Sequence, residues 1–288
     1  IVPSNTYIAT LIAVSRLGAT PVLVEPKIDT YNIDPTKISS AITKRTKAII
    51  PVHLYGQACK MDDIMAIAKK NHVHVVEDNA QSHGAKYGTV LTGAFGDANA
   101  TSFYPGKNLG AIGDAGAITT DDDALFEKIS RLRNYGETKK YYNDIIGYNS
   151  RLDELQAAFL KIRLSHLLEN NRKRTRIARR YTKELVNVGD IVLPVIEKNA
   201  TSVYHVFAIR TKKRDALREY LGAEGIRTLI HYPVPPHLQT AYAFLGYKKG
   251  SFPVAEELAD TMISLPIYPE LTEKQQTYVI TCIRAFFT

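Results

Sequence analysis

Two short segments hold residues whose types and spacing could do chemistry together. In "SFYPGKNLGAIGDAG" (102–116) a single lysine, Lys107, sits between a Tyr-Pro-Gly turn and a run of small residues. A lysine in apolar surroundings gives up its charge more readily than a surface one, and its neutral amine can form a Schiff base with an aldehyde. In "VVEDNAQSHGA" (75–85) an apolar run ends in Glu77 and Asp78, followed by Asn79, Gln81 and His83. An enzyme built on pyridoxal phosphate needs such a lysine and also a carboxylate that keeps the pyridine nitrogen protonated. Ser102 would add a hydroxyl donor for a phosphate. Each residue also has a plain reading. Asp78 or Asn79 can cap a following helix, and an interior lysine often packs its stem while its head reaches solvent.

The elements that must position these residues follow from periodicity. "TKAIIPVH" (46–53) predicts a strand, "MDDIMAIAKKN" (61–71) a helix with Ile64, Met65, Ile67 and Ala68 on one side, and "VHVVED" (73–78) the next strand. Strand, helix and strand at this spacing form a βαβ unit, so a mainly parallel sheet is expected, with chemistry beyond its carboxyl ends. "ANATSFY" (98–104) and "AGAITT" (115–120) add two strands, and 121–135 a helix. A long helix is predicted over 150–187, apolar at Leu152, Leu155, Ala158, Phe159, Ile162, Leu164 and Leu167. Beyond it come a strand at 202–210, a helix at 213–225 closed by Gly225, and a last helix at 272–287. The expected organisation is α/β: a large domain over 1–168 with a mainly parallel mixed sheet flanked by helices, and a smaller C-terminal α+β domain over 169–288.

Composition narrows the classes. The chain has 288 residues, 45% of them hydrophobic, which is enough for two ordinary domains. No stretch approaches the ~18 uninterrupted apolar residues of a membrane helix, and the opening "IVPSNTYIAT" carries no secretory pattern. The two cysteines, Cys59 and Cys282, form neither a disulfide framework nor a metal cluster, so a cytoplasmic, metal-free protein is expected. The net charge of +8 suits nucleic acid, an anionic membrane or phosphorylated small molecules. "NNRKRTRIARR" (170–180) is the basic stretch a nucleic-acid reading would use, but it lacks interleaved aromatics. The better expectation is a solvated face with one or two arginines near a nucleotide diphosphate, and neither nucleic acid nor membrane as partner.

"VPSNTYIAT", "PVHLYGQ", "VVEDNAQSHGA", "SFYPGKNLGAIGDAGAITTDD", "LRNYG" and "GYNSRLDELQAA" together resemble the DegT-type sugar aminotransferases, a fold-type I branch of the pyridoxal phosphate enzymes. The resemblance implies that Lys107 forms the Schiff base and later shuttles the proton, with pyridoxamine phosphate as intermediate. It implies that Asp78 pairs with the pyridine nitrogen, Gln81 contacts the ring hydroxyl, Ser102 binds the phosphate and Tyr7 lies over the ring. Asn149 would reach the phosphate of the neighbouring subunit, which makes a homodimer part of the site. His83 would be a sugar-side contact or proton relay, or else a partly buried histidine bonded to backbone. Tyr104, Asn149, His231 and Tyr232 would border the sugar pocket.

Within the family the chain is most similar to enzymes that aminate C3 of dTDP-linked 3-keto-6-deoxyhexoses, with L-glutamate as expected donor. Relatives acting at C4, and a catalytically silent sensor or scaffold, are the alternatives. Relatives also carry, ahead of the strand that ends near Ile1, a Gly-Ser/Asn-Gly-Thr-type loop that cradles the phosphate. No such loop occurs in these 288 residues, so the large domain is expected to lack its N-terminal part.

Overall fold

The computed structural model describes residues 1–288. The first part of the chain runs β1 (Val2–Pro3), α1 (Ala9–Arg16), β2 (Leu23–Val24), α2 (Pro35–Ala41), β3 (Ala48–Ile49), α3 (Met61–Asn71) and β4 (His74–Asp78). A small hairpin, β5 (Lys86–Tyr87) and β6 (Val90–Leu91), precedes β7 (Ala98–Ser102), β8 (Gly116–Thr119) and α4 (Asp123–Leu132). A second hairpin, β9 (Glu137–Lys139) and β10 (Tyr142–Asn143), leads into the 32-residue α5 (Glu154–Leu185). The remainder is β11 (Phe207–Arg210), α6 (Arg214–Ala223), α7 (Pro253–Thr261), β12 (Met262–Leu265) and α8 (Glu273–Phe287).

The main sheet has the order β3-β4-β7-β8, parallel from β3 to β7 and antiparallel between β7 and β8. Helix α3 matches its predicted span, with Met61, Ile64 and Ala68 buried on one side and the carboxylates of Asp62 and Asp63 at its N-terminus. Its buried side joins Ile38, Ile49, Cys59 and Val75 in a core that covers one face of the sheet. Both parallel strands that carry predicted site residues end on the same edge, Asp78 closing β4 and Ser102 closing β7.

The C-terminal part is organised around the antiparallel pair β11–β12, with Tyr181, Leu185, Leu217, Leu221 and Ile283 packed against Phe207, Ile209 and Ile263. Helix α8 starts with a capping box between Thr272 and Gln275. The strand predicted over 202–210 is regular only from Phe207. Residues before it pair instead with the first part of the chain, Ser202 opposite Gln57 and Ala200 opposite Tyr87, and the backbone then turns through Tyr204 at φ 48°. The face predicted on the long helix is also only partly covered. Leu160 and Leu167 bury against Leu109 and Ala111, whereas Leu155, Phe159, Ile162 and Leu164 stay exposed. A helical pattern reports that a side is apolar, not what covers it. No helix is long and apolar enough to cross a membrane.

Candidate active site

A cleft of about 720 Å³ opens beyond the carboxyl ends of β4 and β7, lined among others by Tyr7, Asp78, Gln81, Ser102, Lys107 and Tyr232. The Asp78 carboxylate is held from two sides. Oδ1 accepts from the Ala80 amide at 3.1 Å and Oδ2 from the Thr10 hydroxyl at 2.8 Å, and Thr10 lies 3.0 Å from Thr6 Oγ1. A carboxylate offers about four lone-pair sites, so Asp78 keeps acceptor capacity toward the cleft. It caps no helix, because a turn follows it.

Lys107 sits on a tight turn in which its amide donates to the Tyr104 carbonyl at 2.8 Å. Gly110 closes that turn, since a Cβ there would stand 2.4 Å from the Pro105 carbonyl oxygen. No hydrogen bond or ion pair engages Lys107 Nζ. Burial pulls its pKa below the ordinary lysine value, opposed by the charge of Asp78. The result is an amine with free valence in a partly dry site.

Gln81 is oriented at both ends: Oε1 accepts from the Tyr55 amide at 2.6 Å and Nε2 donates to the Tyr232 hydroxyl at 3.1 Å. Tyr55 directs that amide from a left-handed conformation, φ 57°, while its hydroxyl donates to the His231 carbonyl. Burial pushes the Tyr232 phenol up to about 12, so it stays protonated at neutral pH. Its ring lies 5.4 Å from that of Tyr7, which is 54% exposed on the cleft wall. His231 holds Ser264 Oγ at 2.8 Å through Nδ1, and burial followed by the Lys107 charge lowers its pKa. Ser102 Oγ accepts from the Tyr104 amide at 3.3 Å, and Tyr104 itself lines the cleft.

Behind this wall Glu77 points the other way and is fully enclosed. Oε2 accepts from His53 Nε2 at 2.7 Å and the Gly93 amide at 2.8 Å, and Oε1 from the amides of Phe95 and Gly96 at 2.6 and 3.0 Å. The Cys59 amide donates to His53 Nδ1 at 3.0 Å, which places the imidazole proton on Nε2, toward Glu77.

Two predicted site residues lie off the cleft. His83 is buried, with Nε2 bonded to the Ser102 carbonyl at 2.9 Å and Nδ1 enclosed without a partner. Burial lowers its pKa to about 4, countered by the Ser102 bond and reinforced by the charge of Lys107. Asn149 is exposed and pairs with Asn134 rather than with any residue of the cleft in the same chain. The basic stretch 170–180 is not uniformly solvated. Arg174 is buried and donates to the carbonyls of Tyr204 and Ile267, while Arg172, Arg176 and Arg179 line a separate cleft of about 490 Å³. One side of α5 must face the core here, and Arg174 falls on it between Asn171 and Ile177.

The sequence reading assigned no role to Thr10, Tyr55, His53 or His205. His53 and Tyr55 stand in the quoted "PVHLYGQ" and Thr10 closes "VPSNTYIAT", but only the folded chain shows what their donors meet. His205 lay inside an expected strand and instead lines the cleft.

A family model described as the DegT/DnrJ/EryC1/StrS aminotransferase family matches residues 1–284. The chain belongs to that family. It is 52% identical to the dTDP-3-amino-3,6-dideoxy-alpha-D-galactopyranose transaminase of Aneurinibacillus thermoaerophilus, over 99% of this chain and 78% of that protein. It is 50% identical to the erythromycin biosynthesis sensory transduction protein EryC1 of Saccharopolyspora erythraea, again over 99% and 78%. Among solved structures, DesV of Streptomyces venezuelae in complex with a ketimine intermediate superposes with a TM-score of 0.96 at 48% identity, over 99% of this chain and 77% of that one. The expected fold class and enzyme class therefore hold: the chain has a mixed α/β aminotransferase fold and is a transaminase. Aminotransferases of this family depend on pyridoxal phosphate. The aminotransferase cleft has groups suited to that cofactor: a spare acceptor lone pair on the Asp78 carboxylate, a free amine on Lys107 and an exposed aromatic ring on Tyr7.

Proposed function

We propose that this aminotransferase moves an amino group from L-glutamate to C3 of a dTDP-linked 3-keto-6-deoxyhexose, within deoxyamino-sugar biosynthesis in the cytoplasm. The observation that carries the reading is the unpartnered Lys107 amine sharing one cleft with the Asp78 carboxylate. When bound, pyridoxal phosphate would supply an aldehyde that captures amines and a ring that takes up the electron pair released at the substrate carbon, with pyridoxamine phosphate as its amino-carrying form. Lys107 would hold the aldehyde carbon and then move a proton at the substrate carbon, a task its lowered pKa suits. Asp78, steadied by Thr10 and Ala80, would hold the pyridine N–H. Gln81 would face the ring hydroxyl, Tyr7 would cover the ring and Ser102 would donate to the phosphate. Tyr104, His231 and Tyr232 would border the sugar, with His83 supporting the floor beneath Ser102.

The same proposal includes a homodimer in which Asn149 serves the partner's site. The exposed Leu155, Phe159, Ile162 and Leu164 on α5 support it, since a run of apolar residues left bare on one helix calls for cover. A division near residues 168 and 169 is part of it too. The first half of α5 packs on Leu109 and Ala111, and the second half enters the C-terminal core through Ile177, Tyr181 and Leu185. The 52% identity to a 3-amino-sugar transaminase supports position C3.

The test runs the reaction in reverse, following L-glutamate formation from 2-oxoglutarate with a series of nucleotide-linked amino sugars. A 3-amino-6-deoxyhexose linked to dTDP is expected to exceed its 4-amino isomer by at least about tenfold in kcat/KM. Faster turnover of the 4-amino isomer, or turnover of neither, would contradict the proposal.

A further inference from the structure

The residue after Lys107 begins a hydrogen-bond chain that ends on the cleft wall. Asn108 Nδ2 donates to Asn171 Oδ1 at 2.9 Å and to the Val203 carbonyl at 3.0 Å. Asn171 is fixed in turn because its Nδ2 donates to the His83 carbonyl at 2.8 Å. With both amides oriented, Asn108 presents Oδ1 to His205 Nδ1 at 3.2 Å. An amide oxygen only accepts, so Nδ1 carries the imidazole proton and Nε2 keeps a bare lone pair. Nε2 has no partner in the protein and is not enclosed, and His205 lines the same cleft as Lys107.

We propose that His205 is a positioning residue for Lys107: Nε2, locked as an acceptor by Asn108 on the wall of the cleft that holds the unpartnered lysine amine, is the acceptor to which that amine turns when protonated. This rests on the reading of Lys107 as the group that moves the proton. When Lys107 takes a proton from the substrate carbon it becomes an ammonium in a site that disfavours charge. An acceptor that stays neutral shares that proton without trapping it. His205 is suited to stay neutral. Burial first, then the charges of Lys107 and Arg174 and the neighbouring His231 and His83, hold its pKa well below the ordinary histidine value. Arg174 also donates to the His205 carbonyl at 3.4 Å. From the other side Asp78 favours the ammonium, and Tyr7, Tyr104, Asp114 and Tyr232 complete the titratable lining.

Two substitutions separate this role from a structural one. His205→Asn keeps a donor at the Nδ1 position for Asn108 but removes the cleft acceptor, whereas His205→Gln can present an oxygen near the Nε2 position. The measurement is competitive acetylation of the cofactor-free full chain across pH, read by mass spectrometry on the peptide carrying Lys107, so it needs neither cofactor nor turnover. His205→Asn and His205→Phe are each expected to raise the acid constant of Lys107 about tenfold, while His205→Gln stays within about threefold of the parent. Equal acid constants in all four proteins, or recovery by Asn instead of Gln, would overturn the proposal while leaving the transaminase reading to its own assay.

Discussion

Glu77 and Asp78 are neighbours on one strand and carry the same functional group, yet they are built into the molecule in opposite ways. Glu77 points into the interior, where His53 and three backbone amides occupy its oxygens. Burial alone would raise its pKa, but the His53 hydrogen bond, with those from the amides of Gly93 and Gly96, outweighs burial and holds it below the usual value. Asp78 turns to the cleft, takes one backbone amide and one threonine hydroxyl, and keeps lone pairs free. Successive residues on a strand face opposite sides, so one strand end can supply both a satisfied acid that fixes architecture and an unsatisfied one that is left for chemistry.

That contrast can be broken by exchanging the acids for amides. Glu77→Gln puts an NH2 against backbone donors, and a loss of about 3–5 kcal/mol in stability is expected by urea denaturation. Asp78→Asn should change stability by no more than about 1 kcal/mol, yet lower kcat/KM on the order of 10² to 10³-fold by removing a preorganised charge. Equal destabilisation by both would erase the distinction. His83, bonded to the carbonyl of Ser102 beside the cleft, adds a buried group whose neutrality the fold enforces. Its folded pKa of about 4 lies below the ordinary 6.5, so between those values the unfolded chain binds more protons and stability falls as pH drops. The parent should lose about 3 kcal/mol more than His83→Gln between pH 6.5 and 4, seen as diverging urea midpoints. Thr10→Val is the mildest change. It removes one donor from Asp78 and should cost activity about three- to tenfold with the fold intact, by steady-state kinetics.

Much of this was legible in the sequence because the motifs are local. The segments holding Asp78, Gln81, Ser102 and Lys107 each span a strand end and the turn after it, so side-chain type and spacing already placed them on one edge of a parallel sheet. The hidden part depends on distant pairs. Thr10 meets Asp78 across 68 positions, Tyr55 meets His231 across 176, and His205 meets Asn108 across 97, and no periodicity announces such contacts. The exposed apolar side of α5 shows a second limit, for the pattern predicted the helix but says nothing of what covers it, and Leu155, Phe159, Ile162 and Leu164 stay exposed. The basic stretch misled through distant contacts within the chain, as Arg174 is buried by carbonyls that arrive from Tyr204 and Ile267.

The central claim is that the free amine of Lys107 is the group that holds the cofactor. Sodium borohydride added to the full chain with pyridoxal phosphate fixes the cofactor on its lysine, and peptide mass spectrometry reads the position. The expected result is a phosphopyridoxyl adduct on Lys107, absent from Lys107→Ala under the same conditions. An adduct on another lysine of the parent, or none at all, would contradict the account.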